Sequence, residues 1–293
     1  MIFLNQNRKP HILEPQQIDI KLNADPTFHP TSLRIEGDDP LSIAILLDVS
    51  GDQRDLLSAF KKYFSPWVTS SLRPQDHVSL YAVACGLVHG SENAAANPVV
   101  LQRDLDFSLT SPLAHATAQG APCGKSVVLR GSILYITRKL AELPGRRILL
   151  IVTGGRDGKS AITWPELISE AGRISVTVFA ITTPGSMEPE QVRDIHSLTQ
   201  QSGGLFFSPT PDLLPKSLDR IIALLRSRYI LQFPMPANPE HVNYRVYVTV
   251  PKFDAVTFPS GISVPIPNPN LDHPSTDLPN EVPDTPPPPT PNR

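Results

Sequence analysis

Two largely apolar runs stand out along the chain, one at residues 41–47, interrupted only by Ser42, and one at residues 148–152. Neither run alternates with polar residues, which is typical of strands that are covered on both faces of a sheet. The first run leads directly into Asp48 and Ser50, and the second leads into Thr153. Because open α/β sheets bind ligands at the carboxyl ends of their strands, these polar clusters mark the candidate site.

Helical and extended patterns alternate over the middle of the chain. Apolar residues recur at helical spacing after the first strand and again over residues 127–143, 164–173, 188–201 and 212–228. Extended patterns cover residues 77–84, 174–181 and 205–208. Residues 99–107 are predicted as a further short strand that forms a hairpin with the strand at 77–84. Residues 108–125 are predicted as a loop across the carboxyl edge of the sheet. This order predicts an α/β fold with a doubly wound, mostly parallel sheet flanked by helices.

The two ends of the chain differ from this middle. Residues 1–38 form a predicted arm with one edge strand at 18–22, and residues 39–228 form the α/β domain. Residues 229–267 alternate in polarity and predict a small β addition beside that domain, which the amino-terminal strand can join. Of the 33 prolines, 11 lie between Pro265 and Pro291, so residues 268–293 are predicted to be a disordered, proline-rich tail.

The strand ends resemble the metal-ion-dependent adhesion site of the von Willebrand factor A (VWA) family, whose pattern begins Asp-x-Ser-x-Ser. Asp48 and Ser50 match that pattern, Asp52 stands where the family has its last Ser, and Ser132 stands for a later Thr. Gly154 occupies the position of an expected Asp. The phrase at residues 145–158 is most similar to a bacterial VWFA-related subgroup. The resemblance covers about residues 40–233 and implies a Rossmann-like VWA fold.

The resemblance also implies how such a site works. Hydroxyls and carboxylates hold a metal ion, and the open coordination position accepts an acidic side chain from a protein partner. In this chain the family's acidic position is Gly154, so one carboxylate ligand is absent from the pattern. Asp48 and Asp52 together could still hold a hard cation such as Mg²⁺. Asp52 could equally cap the helix that follows it.

Two residues that follow the apolar run at 148–152 bear on whether the site holds a metal ion. The guanidinium of Arg156 could pair with Asp48 or Asp52 in place of the ion, and Asp157 is either a replacement ligand or part of the turn. We therefore expect a degenerate site without a cofactor, and Mg²⁺ remains the alternative. The candidate metal ligands are Asp48, Ser50, Asp52 and Ser132, and the candidate partner-binding residues are these four with Arg156 and Asp157.

Composition narrows the classes of partner. The formal net charge is −2, and Lys and Arg are scattered, so nucleic acid is not an expected partner. No window approaches the roughly 18 apolar residues of a membrane span, and the apolar start of the chain is too short for a signal peptide. Similar proteins are nevertheless often exported, so the sequence does not decide the compartment.

Of the two cysteines, Cys85 lies in an apolar stretch where a buried free thiol is the default, and a disulfide with Cys123 is the alternative.

The sequence gives little support for a nucleotide-binding loop or a catalytic nucleophile. Residues 120–126 are similar to a phosphate loop, but the glycine spacing is one residue short and no apolar strand precedes them. The eight histidines are dispersed, and none forms a recognisable nucleophile arrangement. We therefore predict a non-enzymatic module that binds another protein through residues 51–54, 108–131 and 154–163. The alternatives are a metal-dependent enzyme that uses Asp48 and Asp52, and a structural subunit that assembles through its β addition and tail.

Overall fold

The computed structural model describes residues 2–4, 13–23, 25–51, 53–115, 127–158, 160–234, 243–250, 254–256 and 262–265. The strands are β1 (Ile2–Leu4), β2 (Asp19–Leu22), β3 (Ser32–Ile35), β4 (Leu41–Asp48), β5 (His77–Val83), β6 (Leu87–Ala95), β7 (Arg146–Val152), β8 (Thr177–Ile181), β9 (Phe206–Phe207), β10 (Tyr229–Gln232), β11 (Asn243–Thr249), β12 (Asp254–Val256) and β13 (Ile262–Pro265). The α-helices are α1 (Arg54–Ser71), α2 (Pro98–Thr110), α3 (Leu129–Ala141), α4 (Trp164–Ile174), α5 (Pro189–Gln201) and α6 (Leu214–Arg226).

A six-stranded sheet forms the centre of the α/β unit, with the order β6-β5-β4-β7-β8-β9. Five of its strands are parallel, and only β6 runs antiparallel to its neighbour β5. Strand β4 lies in the middle, and every one of its residues is buried. This arrangement confirms the predicted fold class of a doubly wound, mostly parallel sheet.

The side chains of β4 feed two separate cores. Ile43, Ile45 and Leu47 pack with residues of α1, α2 and α6 on one face of the sheet. Ala44 and Leu46 pack with residues of α3, α4 and α5 on the other face. Burial of a Leu or Ile side chain stabilises the fold by roughly 1.5–3 kcal/mol, so a strand that is apolar on both faces favours the centre of the sheet.

Antiparallel strands from both ends of the chain form a smaller β unit. Strand β11 pairs with β2 on one side and with β13 on the other, and β10 pairs with β3. The two sheets enclose a third apolar cluster that contains Ile18, Ile20, Tyr229, Val246 and Val248. The amino-terminal strand therefore joins the carboxyl-terminal β addition, as the alternation of polar and apolar residues predicted.

The predicted strand at residues 99–107 is wrong, because this segment lies within helix α2. The hairpin partner of β5 is β6, at Leu87–Ala95, which follows after a three-residue turn. Helix α2 and a 3-10 turn at Pro112–His115 also occupy the start of the segment predicted as a loop. Residues 116–126, and the predicted tail at 268–293, lie outside the described part of the chain.

The start of α2 explains the error. Asn97 precedes the helix, and its side-chain oxygen accepts hydrogen bonds from the N–H groups of Val99 and Val100 at 3.0 and 3.2 Å. Pro98 occupies the first helical turn, where its missing N–H costs nothing. The adjacent valines favour a strand by their own propensity, but an Asn cap followed by Pro is a stronger local signal for a helix start.

Cys85, in the turn between β5 and β6, is disulfide-bonded, so the expectation of a free thiol there is wrong. The chain's other cysteine, Cys123, lies outside the described residues. None of the helices within the described ranges has the length and apolar character needed to cross a bilayer.

A buried ion pair fixes the end of the sheet opposite the candidate site. Asp76 accepts hydrogen bonds from the N–H groups of Leu41 and Arg73 at 2.9 and 2.8 Å, and it also pairs with the guanidinium of Arg226. The side chains of Asp76 and Arg226 are 0% and 12% exposed. This carboxylate therefore ties the start of β4 to the end of α6.

Substitution Asp76→Ala is expected to lower the free energy of unfolding by about 3–5 kcal/mol, since it leaves two N–H groups unpaired and removes the carboxylate partner of the mostly buried Arg226 guanidinium, which keeps only the carbonyls of Gly37 and Asp39 as acceptors. Urea denaturation followed by circular dichroism measures the change. The matched control is Asp39→Ala, which removes the exposed ion pair with Arg34 and is expected to cost less than about 1 kcal/mol. Equal effects of the two substitutions would contradict a structural role for the Asp76 pair.

Candidate functional site

Asp48 ends strand β4 at the carboxyl edge of the central sheet, and its side chain is only 1% exposed. One carboxylate oxygen, Oδ1, accepts a hydrogen bond from the N–H of Ser50 at 3.0 Å. The other, Oδ2, accepts one from the hydroxyl of Thr153 at 2.9 Å and one from the N–H of Gly154 at 3.2 Å. Three protein donors therefore satisfy this buried carboxylate.

These bonds also show that the two candidate strand ends are adjacent. Strands β4 and β7 pair in parallel, with Leu47 opposite Val152, so that Asp48 reaches the turn after β7. Gly154, where the VWA pattern has an acidic residue, contributes its N–H to Asp48 instead. Two ionised carboxylates at these positions would repel each other unless a cation or a proton lay between them, whereas one carboxylate facing an N–H and a hydroxyl is already compensated.

Ser50 lies at the edge of a surface groove. Its hydroxyl oxygen is buried and has no hydrogen-bond partner among the described residues. The groove encloses about 520 Å³ beside the first turn of α1 and the end of α2. It is lined by Val49, Ser50, Gly51, Arg54, Leu57, Ser58, Lys61 and Leu109. We call this surface the α1–α2 groove.

The α1–α2 groove combines an apolar interior with cationic side chains. Lys61 pairs with Asp106 of α2 at 3.1 Å, and both side chains are about half exposed. Arg54 is exposed and forms no ion pair with another described residue. A negative group entering the groove would therefore meet a guanidinium that pairs with no carboxylate among the described residues.

Gln53 connects the first strand end to a third one, and the sequence analysis missed it. Its side chain is fully buried. Its amide oxygen accepts hydrogen bonds from the N–H and the hydroxyl of Thr183 at 2.8 and 2.9 Å, and its amide nitrogen donates to the hydroxyl of Ser186 at 3.0 Å. Gln53 thereby fixes the loop after β4 against the loop after β8.

A signal for this role was present in the sequence. Gln53 occupies the N-cap position of α1 but makes no capping bond with its side chain. Ser, Thr, Asp and Asn are the residues preferred at that position. A Gln there can indicate that the side chain has a partner elsewhere.

Ser132 and Asp157 are used within the protein. Ser132 is 3% exposed, and its hydroxyl donates to the carbonyl of Val128 in the preceding turn of the chain at 2.8 Å. Asp157 accepts hydrogen bonds from the backbone N–H and the side chain of Arg130 at 2.7 and 3.0 Å, and from the N–H of Ser160 at 3.0 Å. Asp157 therefore caps helix α3 from the turn after β7, so its placement matches the turn alternative.

The hydrogen bonds to Asp157 also stabilise its ionised form. Burial by itself would raise the pKa of the Asp157 carboxyl, but hydrogen bonds from Arg130 and Ser160 outweigh it. The net result is a pKa below the ordinary value for an aspartate. Its side chain is only 4% exposed.

Arg156 does not replace a metal ion at Asp48. Its side chain is exposed, whereas Asp48 is buried, and within the described ranges no ion pair joins the two. Asp52, the other predicted partner of Arg156, lies outside the described residues. The prediction that Asp52 acts as a ligand or a helix cap therefore stays a prediction.

The described residues do not fit a Mg²⁺ site. Among them no group of three or more His, Cys, Asp or Glu side chains could hold a metal ion. Asp48 is the only described carboxylate of the predicted ligand set, and three donors already occupy its oxygens. The hydroxyl of Ser132 faces a carbonyl of the chain. Six-coordinate Mg²⁺ prefers one or two available carboxylates with waters, and the described part of the site offers none.

Comparisons with known proteins give only structural similarities, since no family model and no curated protein matches the sequence. Proximal thread matrix protein 1 from the mussel byssus is 11% identical, with 69% of this chain and 49% of that chain covered at a TM-score of 0.49. The BatB protein from Bacteroides thetaiotaomicron is 15% identical, with 63% and 98% covered at a TM-score of 0.46. The D319A mutant of the PilB minor pilin from Streptococcus sanguinis is 13% identical, with 66% and 63% covered at a TM-score of 0.47.

These similarities are too weak to support an argument about function, and the chain spans about half the length of the mussel protein, at 49%. The architecture follows from the sheet itself. The acidic end of β4 lies beside the end of β7, in the sheet and with the helices that the sequence resemblance implied. The fold is VWA-like. In this VWA-like chain, hydrogen bonds among the protein's own groups hold the strand ends together.

Substitution Asp157→Asn is expected to destabilise the protein by about 1–2 kcal/mol at neutral pH, because a neutral amide replaces a charged helix cap. The folded-state pKa is depressed, so the stabilisation is complete above the unfolded-state pKa and is lost as pH falls through the folded value. Urea denaturation between pH 3 and pH 8 should therefore show a constant difference from the wild type down to about pH 5 and a narrowing difference below it. The control Asp25→Asn, in an exposed turn, should change stability little; a difference that widens in acid would refute the capping role.

Proposed function

We propose that this chain is a non-enzymatic, VWA-type module that binds a protein partner at the carboxyl edge of its central sheet without a metal ion. The observation that carries the proposal is the set of three hydrogen bonds that Asp48 accepts from Ser50, Thr153 and Gly154, which supports a carboxylate held by internal donors. The α1–α2 groove beside it supplies a concave surface with apolar walls and polar groups.

The burial of the predicted residues divides them into two roles. Asp48, Ser132 and the side chain of Asp157 are almost fully buried, so we assign them to support the loops. Ser50, at the α1–α2 groove, and the exposed Arg156 are the members that we assign to contact. Asp52 stays in the proposed set, although the structure does not describe it.

The charges in the groove indicate the chemistry of the partner. Arg54 and Lys61 line the groove, and the hydroxyl of Ser50 lacks an internal hydrogen-bond partner among the described residues. A carboxylate from the partner would accept hydrogen bonds from the side chains of Arg54 and Lys61, while Leu57 and Leu109 would contact an apolar neighbour. In this proposal a guanidinium performs the recognition of an acidic side chain that a metal performs in the family.

The enzyme alternative has less support from the described residues. A metal-dependent mechanism through Asp48 and Asp52 requires a carboxylate that is accessible to the ion, and Asp48 is 1% exposed and already accepts three internal hydrogen bonds. Ser50 has no hydrogen bond to a histidine among the described residues, so an activating base is missing from that part of the site.

A photo-cross-linking residue placed at Ser58, within the α1–α2 groove, is expected to capture a partner protein in lysates or culture fractions of the source organism. The matched control places the same residue at Ser169, which is also exposed on a helix but lies on α4. Mass spectrometry of the cross-linked products should show a species that is specific to position 58, and its yield should fall severalfold in an Arg54→Gln background. Equal capture from both positions would refute the proposed surface.

Titration calorimetry with MgCl₂ and MnCl₂ is expected to give no saturable heat with the wild-type chain, because its described donors do not form a cation site. Capture from position 58 should also survive addition of a chelator. Micromolar binding of either ion that disappears in Asp48→Ala would overturn the metal-free form of the proposal, even if cross-linking at the groove succeeded.

A further inference from the structure

A second groove lies in the small β unit and shares no residue with the carboxyl edge of the central sheet. It encloses about 490 Å³ and is lined by Asp19, Lys21, Asn23, Thr27, Tyr247 and Thr249. Strands β2 and β11 form its base, and the turn after β2 forms one end. We call it the β2–β11 groove.

Strand register explains why these side chains face the same way. Lys21 lies directly opposite Tyr247, and Asp19 lies directly opposite Thr249. The alternate residues of the same strands, such as Ile20 and Val248, are buried in the apolar cluster between the two sheets. Neighbouring strands lie about 4.8 Å apart, and residues two positions apart on a strand lie about 6.8 Å apart, so the four side chains form a compact rectangle.

Asn23 is held in a fixed position at the end of this rectangle. Its backbone has a positive φ of 49°, a conformation that Asn tolerates better than most residues. Its N–H donates to the carbonyl of Arg245, and its side-chain oxygen accepts a hydrogen bond from the N–H of Arg245, each at 2.8 Å. The side-chain amide nitrogen has no protein partner among the described residues, so it can donate to a ligand from a pre-organised position.

The charges of the groove compensate one another. Asp19 and Lys21 carry opposite charges on the same strand, and His29 lies 3.5 Å from the Asp19 carboxylate. A ligand with a strong net charge would be attracted by one of the two strand charges and repelled by the other, so the groove offers it little net electrostatic gain. A neutral ligand that both donates and accepts hydrogen bonds avoids this conflict.

We propose that the β2–β11 groove binds a neutral saccharide unit. The hydroxyl groups of a sugar would pair with the carboxylate of Asp19, the ammonium of Lys21 and the amide of Asn23, and the threonine hydroxyls add further donors and acceptors. The partly buried ring of Tyr247 offers a flat apolar surface to the C–H face of the sugar ring. This combination of one aromatic ring with several convergent polar groups matches a ligand that has one apolar face and a polar rim.

The test is a ¹H–¹⁵N NMR titration of the full chain with the methyl glycosides of glucose, galactose, mannose and N-acetylglucosamine, each added separately at millimolar concentration. Saturable shifts of the backbone amides of residues 19–23 and 247–249 with at least one glycoside would support the proposal. The absence of such shifts with all four, or larger shifts of these amides with inorganic phosphate or acetate, would overturn it.

Substitutions at Tyr247 and Lys21 test whether the glycoside binds in the β2–β11 groove. Tyr247→Ala should weaken the affinity about tenfold, while Tyr247→Phe, which keeps the ring, should change it only a few-fold. Tyr135→Ala, on the exposed face of α3, is the matched control and should leave binding unchanged. If Tyr247→Ala disturbs the strand pairing, Lys21→Ala on the edge strand β2 provides the second variant and should also weaken binding. Unchanged affinity in a folded Tyr247→Ala or Lys21→Ala variant would overturn the proposal.

Discussion

The side-by-side placement of Asp48 and the turn after β7 is the constraint on which the carboxyl edge of the sheet depends. A carboxylate that is 1% exposed costs several kcal/mol unless its charge is compensated. In this chain the compensation comes from two backbone N–H groups and one hydroxyl, donated by Ser50, Gly154 and Thr153. An acidic residue at position 154 would add a second negative charge near Asp48, whereas Gly154 adds none and its N–H donates to the carboxylate.

Two further bridges make this edge a connected structure. Gln53 joins the loop after β4 to the loop after β8, and Asp157 joins the turn after β7 to the start of α3. Each bridge uses a buried or nearly buried polar group whose partners lie on a different element, so removal of one partner leaves the other unsatisfied. Of the two bridges, the one through Gln53 lies next to the α1–α2 groove, because Gln53 directly precedes the lining residue Arg54.

The sequence was sufficient for the parts of the fold that depend on continuous apolar patterns. The run at residues 41–47 predicted a central strand because no solvent-facing strand can be apolar on both faces. The sequence-based prediction was wrong at α2, where the strand propensity of two adjacent valines opposed the helix-start signal of Asn97 and Pro98. It also missed Gln53, because the partners of this side chain lie 130 and 133 positions away and no local rule connects them. The adjacency of the strand ends was predictable from topology, while the saturation of Asp48 required the positions of its donors.

The two grooves illustrate how differently a parallel α/β sheet and the small antiparallel β unit bring side chains together at a surface. At the carboxyl edge of the parallel sheet, several strands end together and loops supply the contacts, so chemistry depends on residues far apart in sequence. In the β unit, strand register alone places Lys21 beside Tyr247 and Asp19 beside Thr249, and the surface forms wherever β2 and β11 pair. Binding at the second groove therefore requires the pairing of the two ends of the chain. If β2 were removed, Tyr247 and Thr249 would lose their cross-strand partners, although no residue of the central sheet had changed.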